Sequence, residues 1–291
     1  PKMQDSSSNH YAIIYQITQE CPFNCGICLR FYNPGSGSLS SVDRIKLVDI
    51  LKSRDVKSIS VTGGEPLILK DDLLDFLEYL HDQHIHTCLA STGYKLSKNK
   101  LLMLDKFLDR LVISIRSLKV DEWKSDFGNT KETDQLYEIV INLLEWIKYT
   151  NIVLEVTTVL HKEDINRVFT LGRQLAKINP NIVWRIDEYY PIGKEAHNHE
   201  RFELTDDQFI EITKLIKNEF STTFKDIRFS SWADRRNSPG LFVTQSGDIM
   251  TSDGNPTGFN IMRNEFPDEF KMSRPWSDYK KVFRDWGWGD F

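Results

Sequence analysis

Three of the four cysteines in the chain lie within eight residues, at Cys21, Cys25 and Cys28. They follow directly on residues 11–18, an apolar, β-branched and aromatic run that predicts a buried strand. The residues between the cysteines include proline, asparagine and glycine, which favour a loop over the interior of a helix. A loop at the end of a strand can turn its sulfur atoms towards one centre. The sequence therefore predicts a metal site here.

The number of thiol ligands bears on which metal this is. Structural zinc is almost always four-coordinate and usually takes its ligands in pairs from separate segments. The fourth cysteine, Cys88, lies in a predicted strand at residues 85–90, and no nearby histidine pair completes a zinc site. A four-iron, four-sulfur cluster takes a thiolate on each iron. Three thiolates would leave one iron open to another ligand, with a zinc knuckle or a disulfide as the alternatives.

The Cys-x-x-x-Cys-x-x-Cys spacing after a first strand, with Gly63-Gly64-Glu65-Pro66 after a second, resembles the radical S-adenosylmethionine (SAM) superfamily. The resemblance implies a [4Fe-4S] cluster on Cys21, Cys25 and Cys28, whose open iron is chelated by the amino and carboxylate groups of SAM. One electron from the cluster then cleaves SAM to a 5′-deoxyadenosyl radical. Ile27 stands where the family commonly has an aromatic residue, and the resemblance places it beside the adenine.

The segment Gly63, Gly64, Glu65 and Pro66 ends a second predicted strand at residues 56–61. Glycines let a backbone approach a ligand closely. Backbone carbonyls here could therefore accept hydrogen bonds from the ammonium group of SAM, and Glu65 could help to hold its positive charge. A plain turn from a strand to a helix is the alternative.

Strands and amphipathic helices alternate through the first two thirds of the chain. Further strands are predicted at residues 85–90, 111–116, 152–159 and 182–187. Such alternation implies parallel pairing through right-handed crossovers. The predicted fold class is α/β, a partial (β/α)6 TIM-type barrel with a small β-rich C-terminal extension. The resemblance implies the same open barrel.

Three regions are expected along the chain. Residues 1–10 predict a flexible leader, residues 11–200 the partial barrel, and residues 201–291 a C-terminal extension that caps it. The extension contains no cysteine, so it cannot build an auxiliary iron–sulfur cluster from thiolates.

Groups at the C-terminal ends of strands line the site of an α/β barrel. The resemblance implies that the ends of the third and fourth strands contact the ribose and carboxylate of SAM, which points to Thr92, Ser114 and Arg116. The fork of an arginine suits a carboxylate because it is charged and bidentate. Lys124 is a second candidate for that carboxylate. A solvated strand end or a local cap is the alternative for each of these residues.

The catalytic group is not identified by the sequence. Tyr189, Tyr190 and His161 follow predicted strands and are the candidates to face a pocket. Cys88 is expected to be a core cysteine rather than a ligand. The polar loop around His197 and His199 predicts a substrate-facing or exposed loop, with a metal pair as the less favoured alternative.

Composition limits the partners. The net charge of −5 and the absence of a long basic run weigh against duplex nucleic acid. No apolar run approaches the roughly 20 residues needed to span a bilayer, so no membrane association is expected. Cysteines kept as thiols indicate the cytoplasm. The resemblance implies a flavodoxin or ferredoxin as electron donor.

Two substrate classes stay open. One is a small molecule such as a nucleotide, sugar or natural-product intermediate, supported by a short, distant similarity of residues 184–193 and 201–204 to the viperin-like members of the superfamily. The other is a precursor peptide that is epimerised or cross-linked. A non-catalytic iron–sulfur sensor is a third hypothesis.

Overall fold

A computed structural model of the chain describes residues 11–263, except for residues 32, 34, 35, 129, 238–240 and 252. The predicted leader at residues 1–10 and the end of the predicted extension lie outside the described residues. Within the described part of the chain, no helix is both long and apolar enough to cross a membrane.

Ten strands are described. They are β1 (Tyr11–Thr18), β2 (Val56–Gly63), β3 (His86–Ser91), β4 (Arg110–Ser114), β5 (Val153–Leu160), β6 (Val183–Glu188), β7 (Asp226–Ser230), β8 (Leu241–Val243), β9 (Asp248–Thr251) and β10 (Pro256–Asn260).

Nine α-helices are described among them. They are α1 (Ser41–Lys52), α2 (Asp71–Asp82), α3 (Lys98–Leu104), α4 (Val120–Phe127), α5 (Lys131–Trp146), α6 (Ile165–Ile178), α7 (His199–Phe202), α8 (Asp206–Phe220) and α9 (Trp232–Asn237).

All ten strands form one sheet in the order β10-β9-β8-β1-β2-β3-β4-β5-β6-β7. Strands β1 to β7 pair in sequence and in parallel, with helices crossing between them. This arrangement confirms the predicted α/β fold with six parallel strand–helix units. Parallel strands joined by helices bring all of their C-terminal ends to one edge, where the loops that carry function collect.

The strands of the predicted extension continue the sheet at both of its edges. β7 adds in parallel beside β6, and β8 adds in parallel beside β1. Among the described strands, only β9 runs in the opposite direction, and it pairs antiparallel with both β8 and β10. The described strands of the extension therefore lengthen the sheet at both edges, and the predicted cap over the open side stays a prediction. The domain boundary after residue 200 stays a prediction.

The apolar core lies between the sheet and its helices. Alternate strand residues such as Tyr15, Leu89 and Trp184 point to this side and are fully buried or nearly so. Helix α6 packs there as closely as a glycine allows, because a Cβ at Gly172 would lie 2.8 Å from the ring of Trp184. This layer keeps β5 and β6 in position beneath the site.

The opposite, inner face of the sheet is polar. We call its charged groups the inner polar layer: Arg110, Glu155, Arg185, Asp187, Asp226 and Arg228. The Glu155 carboxylate is fully buried and lies 3.1 Å from Arg110 Nη1, 2.6 Å from Arg185 Nη1 and 3.8 Å from Arg228 Nη1. Burial by itself raises the pKa of Glu155, but the three guanidinium groups outweigh it and hold the pKa below its usual range.

Cys88 is buried, as predicted, but it lies on this polar face and outside the apolar core. Burial raises the pKa of its thiol, while the neighbouring Arg110 guanidinium and a hydrogen bond with Ser60 oppose that rise. Cys88 is therefore a buried cysteine, as predicted, with Ser60 and Arg110 among its neighbours. Strand periodicity alone did not tell which of Cys88 and Leu89 faces the helices.

His86 in the same region gives the fold a pH dependence. Burial, together with the charge of Arg110, lowers the pKa of His86 to about 3. The unfolded chain protonates this ring near its ordinary value of about 6.5, so the stability that neutral His86 contributes is lost as the pH falls from about 6.5 towards 3. We expect His86→Gln to flatten the dependence of Tm on pH between pH 7 and pH 5. The exposed His197→Gln variant is the control, and an equal slope in both variants and the parent protein would contradict the assignment.

Candidate functional site

The cysteine loop, residues 19–31, leaves β1 at the C-terminal edge of the sheet. All three cysteines are half-buried free thiols, and Cys28 N–H donates to Cys25 O at 3.3 Å, which closes a turn between them. Burial raises the pKa of Cys25, and the sulfurs of Cys28 and Cys21 raise it as well, so that it reaches about 12. All three cysteines lie on one short loop at the end of β1.

This donor set fits an iron–sulfur cluster. Three thiols on one loop are the soft ligands that iron in such clusters takes. No three His, Cys, Asp or Glu side chains of the described residues are grouped to hold a single metal ion. The thiolates of an iron–sulfur cluster lie farther apart than the ligands of a single metal ion, because each thiolate binds a different iron.

Two glycines at the end of β2 let the cysteine loop lie directly on the strand. Gly64 N–H donates to Thr18 O at 2.7 Å, and Glu65 N–H donates to Glu20 O at 2.8 Å. An added Cβ would lie 2.5 Å from Thr18 O at Gly63 and 2.0 Å from Glu20 O at Gly64. Because both contacts are to backbone, any side chain at either position would push the loop away from the strand.

Glu65 ties the end of β2 to the end of β3. Its carboxylate is fully buried and accepts from Leu67 N–H at 3.0 Å, Ser91 Oγ at 2.7 Å, Thr92 N–H at 2.8 Å and the Thr92 hydroxyl. Burial raises the pKa of Glu65, and the hydrogen bonds from Thr92 and Ser91 oppose that rise. If Glu65 or Thr92 contacts a ligand, as predicted, some of these hydrogen bonds have to break first.

The far end of the cysteine loop is held from inside the barrel. The buried Gln16 amide donates to Phe31 O at 2.8 Å and accepts from Phe31 N–H at 3.0 Å. Gln16 Nε2 also reaches Gln245 Oε1 at 2.7 Å. Gln245, which follows β8, thereby links the C-terminal strands to the loop. Sequence reasoning missed both glutamines, because their partners are distant in the chain.

A third support comes from the segment after β6. We call the 3-10 helix Gly193–Asn198 the β6 clamp. Lys194 N–H donates to Arg30 O at 3.0 Å, Glu195 N–H to Cys28 O at 3.3 Å, and Asn198 Nδ2 to Gly26 O at 2.9 Å. The β6 clamp therefore donates hydrogen bonds to the backbone carbonyl of every second residue along this part of the cysteine loop. The sequence predicted an exposed or substrate-facing loop here.

Gly193 is what allows the β6 clamp to approach so closely. Its φ is +74°, and a Cβ there would lie 2.4 Å from Leu29 O. A left-handed backbone conformation of this kind favours glycine. The only sequence signal for the β6 clamp was therefore a glycine shortly after a strand.

Asn198→Ala removes one of the β6 clamp's hydrogen bonds to the cysteine loop. A net contribution of about 1 kcal/mol corresponds to roughly fivefold faster amide hydrogen exchange in the loop. His197→Ala is the matched control, because His197 lies in the same segment with a side chain 72% exposed. Equal exchange rates in the two variants would contradict the proposed support.

Arg116 lies in a buried cluster of charges under the cysteine loop. Its guanidinium is 3.2 Å from Asp126 Oδ1 and 2.7 Å from Asp164 Oδ2, and it also contacts His161 Nε2. Arg167 bridges the same two carboxylates, at 2.7 Å from Asp126 Oδ2 and 3.0 Å from Asp164 Oδ1. The Arg116 and Asp126 charges both act on Cys25.

This cluster bears on the predicted carboxylate ligand. Arg116 is 7% exposed and already paired with two aspartates, so contact with SAM would require part of that network to rearrange. Lys124, the second candidate, is 3.2 Å from Asp134 Oδ1. Ser114 ends β4 and is half-buried. Helix α4, which supplies Asp126, was not predicted from the sequence.

The three pocket candidates form part of the wall beside the loop. Tyr189 is 1% exposed and donates to Glu195 O at 3.0 Å, and Tyr190 is fully buried and donates to Ser230 Oγ at 2.6 Å. His161 is 1% exposed and lies 2.9 Å from Asp164 Oδ2. Ile27 packs with Val159, Tyr189 and Phe202 in a small cluster of its own. All three candidates thus have protein partners.

A cavity of about 630 Å³ opens on the outer side of this wall. It is lined by Lys162, Glu188, His199, Glu200, Glu203, Leu204, Thr205, Asp206, Trp232 and Arg236. None of these lining residues belongs to the cysteine loop, to the Gly63–Pro66 segment or to the strand ends predicted to contact SAM.

Comparison with known proteins agrees with this geometry. The family model described as "Radical SAM superfamily" matches residues 15–170, which is more than half of the chain. The chain belongs to the radical SAM superfamily, whose members use a [4Fe-4S] cluster and SAM. The predicted family and cofactors are thereby confirmed, while the individual contact residues stay predictions.

Curated relatives are similar over part of their length. The chain is 32% identical over 108 residues to a GTP 3′,8-cyclase of Aliarcobacter butzleri, covering 35% of this chain and 33% of that protein. It is 28% identical over 189 residues to a probable GTP 3′,8-cyclase of Methanococcus maripaludis, covering 63% of this chain and 60% of that protein. The chain therefore spans about a third to three fifths of these relatives.

Solved structures share the fold. Streptococcus suis SuiB bound to S-adenosylmethionine aligns with a TM-score of 0.66 at 13% identity, covering 84% of this chain and 60% of that one. Native anSMEcpe with bound AdoMet aligns with a TM-score of 0.61 at 10% identity, covering 94% of this chain and 96% of that one. At these identities the likeness is one of fold alone.

Proposed function

We propose that this chain is a radical SAM enzyme that cleaves SAM reductively and removes a hydrogen atom from a C–H bond of a small molecule. One observation carries the proposal: three half-buried thiols on one loop, which packs against Gly63 and Gly64 at the C-terminal edge of a parallel sheet. When bound, the cluster supplies the electron that converts SAM to methionine and a 5′-deoxyadenosyl radical.

The chain's own residues have three tasks in this proposal. Cys21, Cys25 and Cys28 hold the cluster and leave one iron for the methionine part of SAM. Backbone carbonyls of the Gly63–Pro66 segment accept from its ammonium group, and Ser114 and Ile27 contact the rest of the cofactor. The buried wall of Tyr189 and Phe202 keeps water away from the reacting atoms.

Arg116 has a different role in the proposal. Its pairing with Asp126 and Asp164 under Cys25 favours a positioning residue that fixes β4 against the cysteine loop. Breaking a buried ion pair costs about 3–5 kcal/mol, so the network resists a rearrangement towards SAM.

A nucleotide is the substrate class that we favour. The relatives named GTP 3′,8-cyclase support it, and so does the polar inner face of the barrel, on which the side chains of Arg185 and Arg228 are partly exposed. A precursor peptide is the second candidate. A cytoplasmic flavodoxin or ferredoxin as electron donor completes the proposal, in keeping with cysteines held as free thiols.

The test is anaerobic reconstitution with iron and sulfide, reduction with dithionite, and quantification of 5′-deoxyadenosine formed from SAM. Nucleoside triphosphates, nucleotide sugars and short peptides are added in parallel. We expect 5′-deoxyadenosine from the parent protein and stimulation by a nucleoside triphosphate. A protein that carries full iron and forms no 5′-deoxyadenosine contradicts the proposed activity, and stimulation by peptides alone contradicts the substrate class.

The two cysteine environments supply a matched pair of variants. Cys25→Ala is expected to lose iron and 5′-deoxyadenosine formation together. Cys88→Ala is expected to keep its iron, because Cys88 lies on β3 outside the cysteine loop. Loss of iron in both variants would contradict the three-thiol assignment.

A further inference from the structure

Thr157 carries an unsatisfied hydroxyl on the inner face of the barrel. Thr157 is only 7% exposed, and its Oγ1 has no hydrogen-bond partner among the described residues. A buried polar group without a partner is costly and is rare in folded proteins. The next residue, Thr158, points to the helices and has both of its partners, Ile115 O at 2.7 Å and Trp184 Nε1 at 3.0 Å.

Sheet register places Thr157 between two polar neighbours. Its Cα partners are Ser114 on β4 and Arg185 on β6. Paired residues of parallel strands point to the same face. Two hydroxyls and a guanidinium therefore lie side by side across three adjacent strands, below the cysteine loop.

Arg185 is held in place with part of its surface open. Nη1 lies 2.6 Å from Glu155 Oε1 and Nε lies 3.1 Å from Asp187 Oδ1, yet 36% of the side chain stays exposed. Burial acts to lower the pKa of Arg185, and the carboxylates of Asp187 and Glu155 outweigh it and raise the pKa. Two carboxylates thus fix the orientation of the guanidinium, and part of the Arg185 side chain is exposed.

Further guanidinium groups lie near this position. Arg235 lies 4.3 Å above the Tyr190 ring, and its charge acts on Asp187. Arg110 and Arg228 lie on the same inner face and share the Glu155 carboxylate with Arg185. The donors around Thr157 are hydroxyl and guanidinium N–H groups, which suit phosphate oxygens.

We propose that Thr157 and Arg185 form a subsite for a phosphate oxyanion of the substrate inside the barrel. The choice of phosphate rests on the proposed nucleotide substrate. The carboxylate of SAM has the same oxyanion chemistry, so the two sources have to be separated by experiment. Ser114 is adjacent and is left to SAM in the proposed function.

The experiment measures binding of two probes to the reconstituted full chain by calorimetry: inorganic triphosphate and SAM. In Thr157→Val the hydroxyl is replaced by a methyl of equal size, and we expect about tenfold weaker binding of triphosphate with the SAM affinity unchanged. Arg185→Gln is expected to weaken triphosphate by more than tenfold. Because Arg185 also pairs with buried carboxylates, Thr157→Val is the variant that decides the result.

Thr158→Val is the matched control, a substitution of the same type on the opposite face of the same strand. It is expected to lower Tm by breaking two buried hydrogen bonds and to leave triphosphate binding unchanged. The proposal is overturned if the parent protein does not bind triphosphate, if Thr157→Val binds it as tightly as the parent, or if only SAM binding falls. None of these outcomes depends on 5′-deoxyadenosine formation, so failure of the subsite is distinguishable from failure of the proposed activity.

Discussion

Gly64→Ala is expected to give a folded protein that retains less than a tenth of the parent protein's iron. The added methyl would lie 2.0 Å from Glu20 O and 2.5 Å from Glu20 C, so backbone atoms have to separate by about 1 Å before the contact is tolerable. That movement breaks the hydrogen bonds from Gly64 N–H to Thr18 O and from Glu65 N–H to Glu20 O. Cys21 follows Glu20 directly and moves with it.

Iron content after reconstitution is the direct measurement, and 5′-deoxyadenosine formation is the second. Gly37→Ala is the matched control: it lies after the same loop, and a Cβ there meets nothing within 4 Å. Far-ultraviolet circular dichroism separates loss of the cluster from loss of the fold. If Gly64→Ala binds as much iron as the parent protein, close packing of the cysteine loop on β2 is not needed for cluster binding, and the prediction is contradicted.

Gly63 and Gly64 also show how much of the candidate site could be predicted from the sequence. The residue types of the Gly63–Pro66 segment were enough to predict that it contacts a ligand. The structure adds a second cause for the glycines, since each of them admits the backbone of β1 or of the cysteine loop. A close approach between segments some 45 residues apart in the sequence leaves no periodic signal, so only the structure reveals it.

The fold was largely predictable because each strand–helix unit is local. The placement of β7 was not, since every one of its residues is only half-buried and a strand of that kind is equally compatible with a hairpin. The pairing of β8 with β1 joins Val243 to Tyr15, which is a contact that local propensity does not encode. The same holds for the partners of Arg116, of which Asp126 lies on a helix that the sequence did not reveal.

Glu65→Gln is expected to destabilise the protein by about 3 kcal/mol, although it keeps the shape of the side chain. Each carboxylate oxygen accepts a backbone N–H, Leu67 on Oε1 and Thr92 on Oε2. A glutamine has a single oxygen, so whichever way the amide is turned its NH2 group faces one backbone donor. The NH2 group therefore replaces an acceptor of one backbone N–H and one hydroxyl. Each lost hydrogen bond to an ionised carboxylate is worth about 1.5–3 kcal/mol, offset in part because the hydroxyl on that side can turn to accept from the NH2 group.

Thermal and denaturant unfolding of the reconstituted protein measure this loss, and Glu78→Gln on the exposed side of α2 is the matched control, with an expected change below about 0.5 kcal/mol. SAM affinity in the same two variants separates the roles of Glu65. If the carboxylate affects SAM only by holding the ends of β2 and β3 together, Glu65→Gln loses stability and SAM affinity together. A stabilising substitution elsewhere in the chain then restores both. If SAM affinity falls while Tm stays at the parent value, the carboxylate contacts the ligand directly, and the buried network at Ser91 and Thr92 must open when SAM binds.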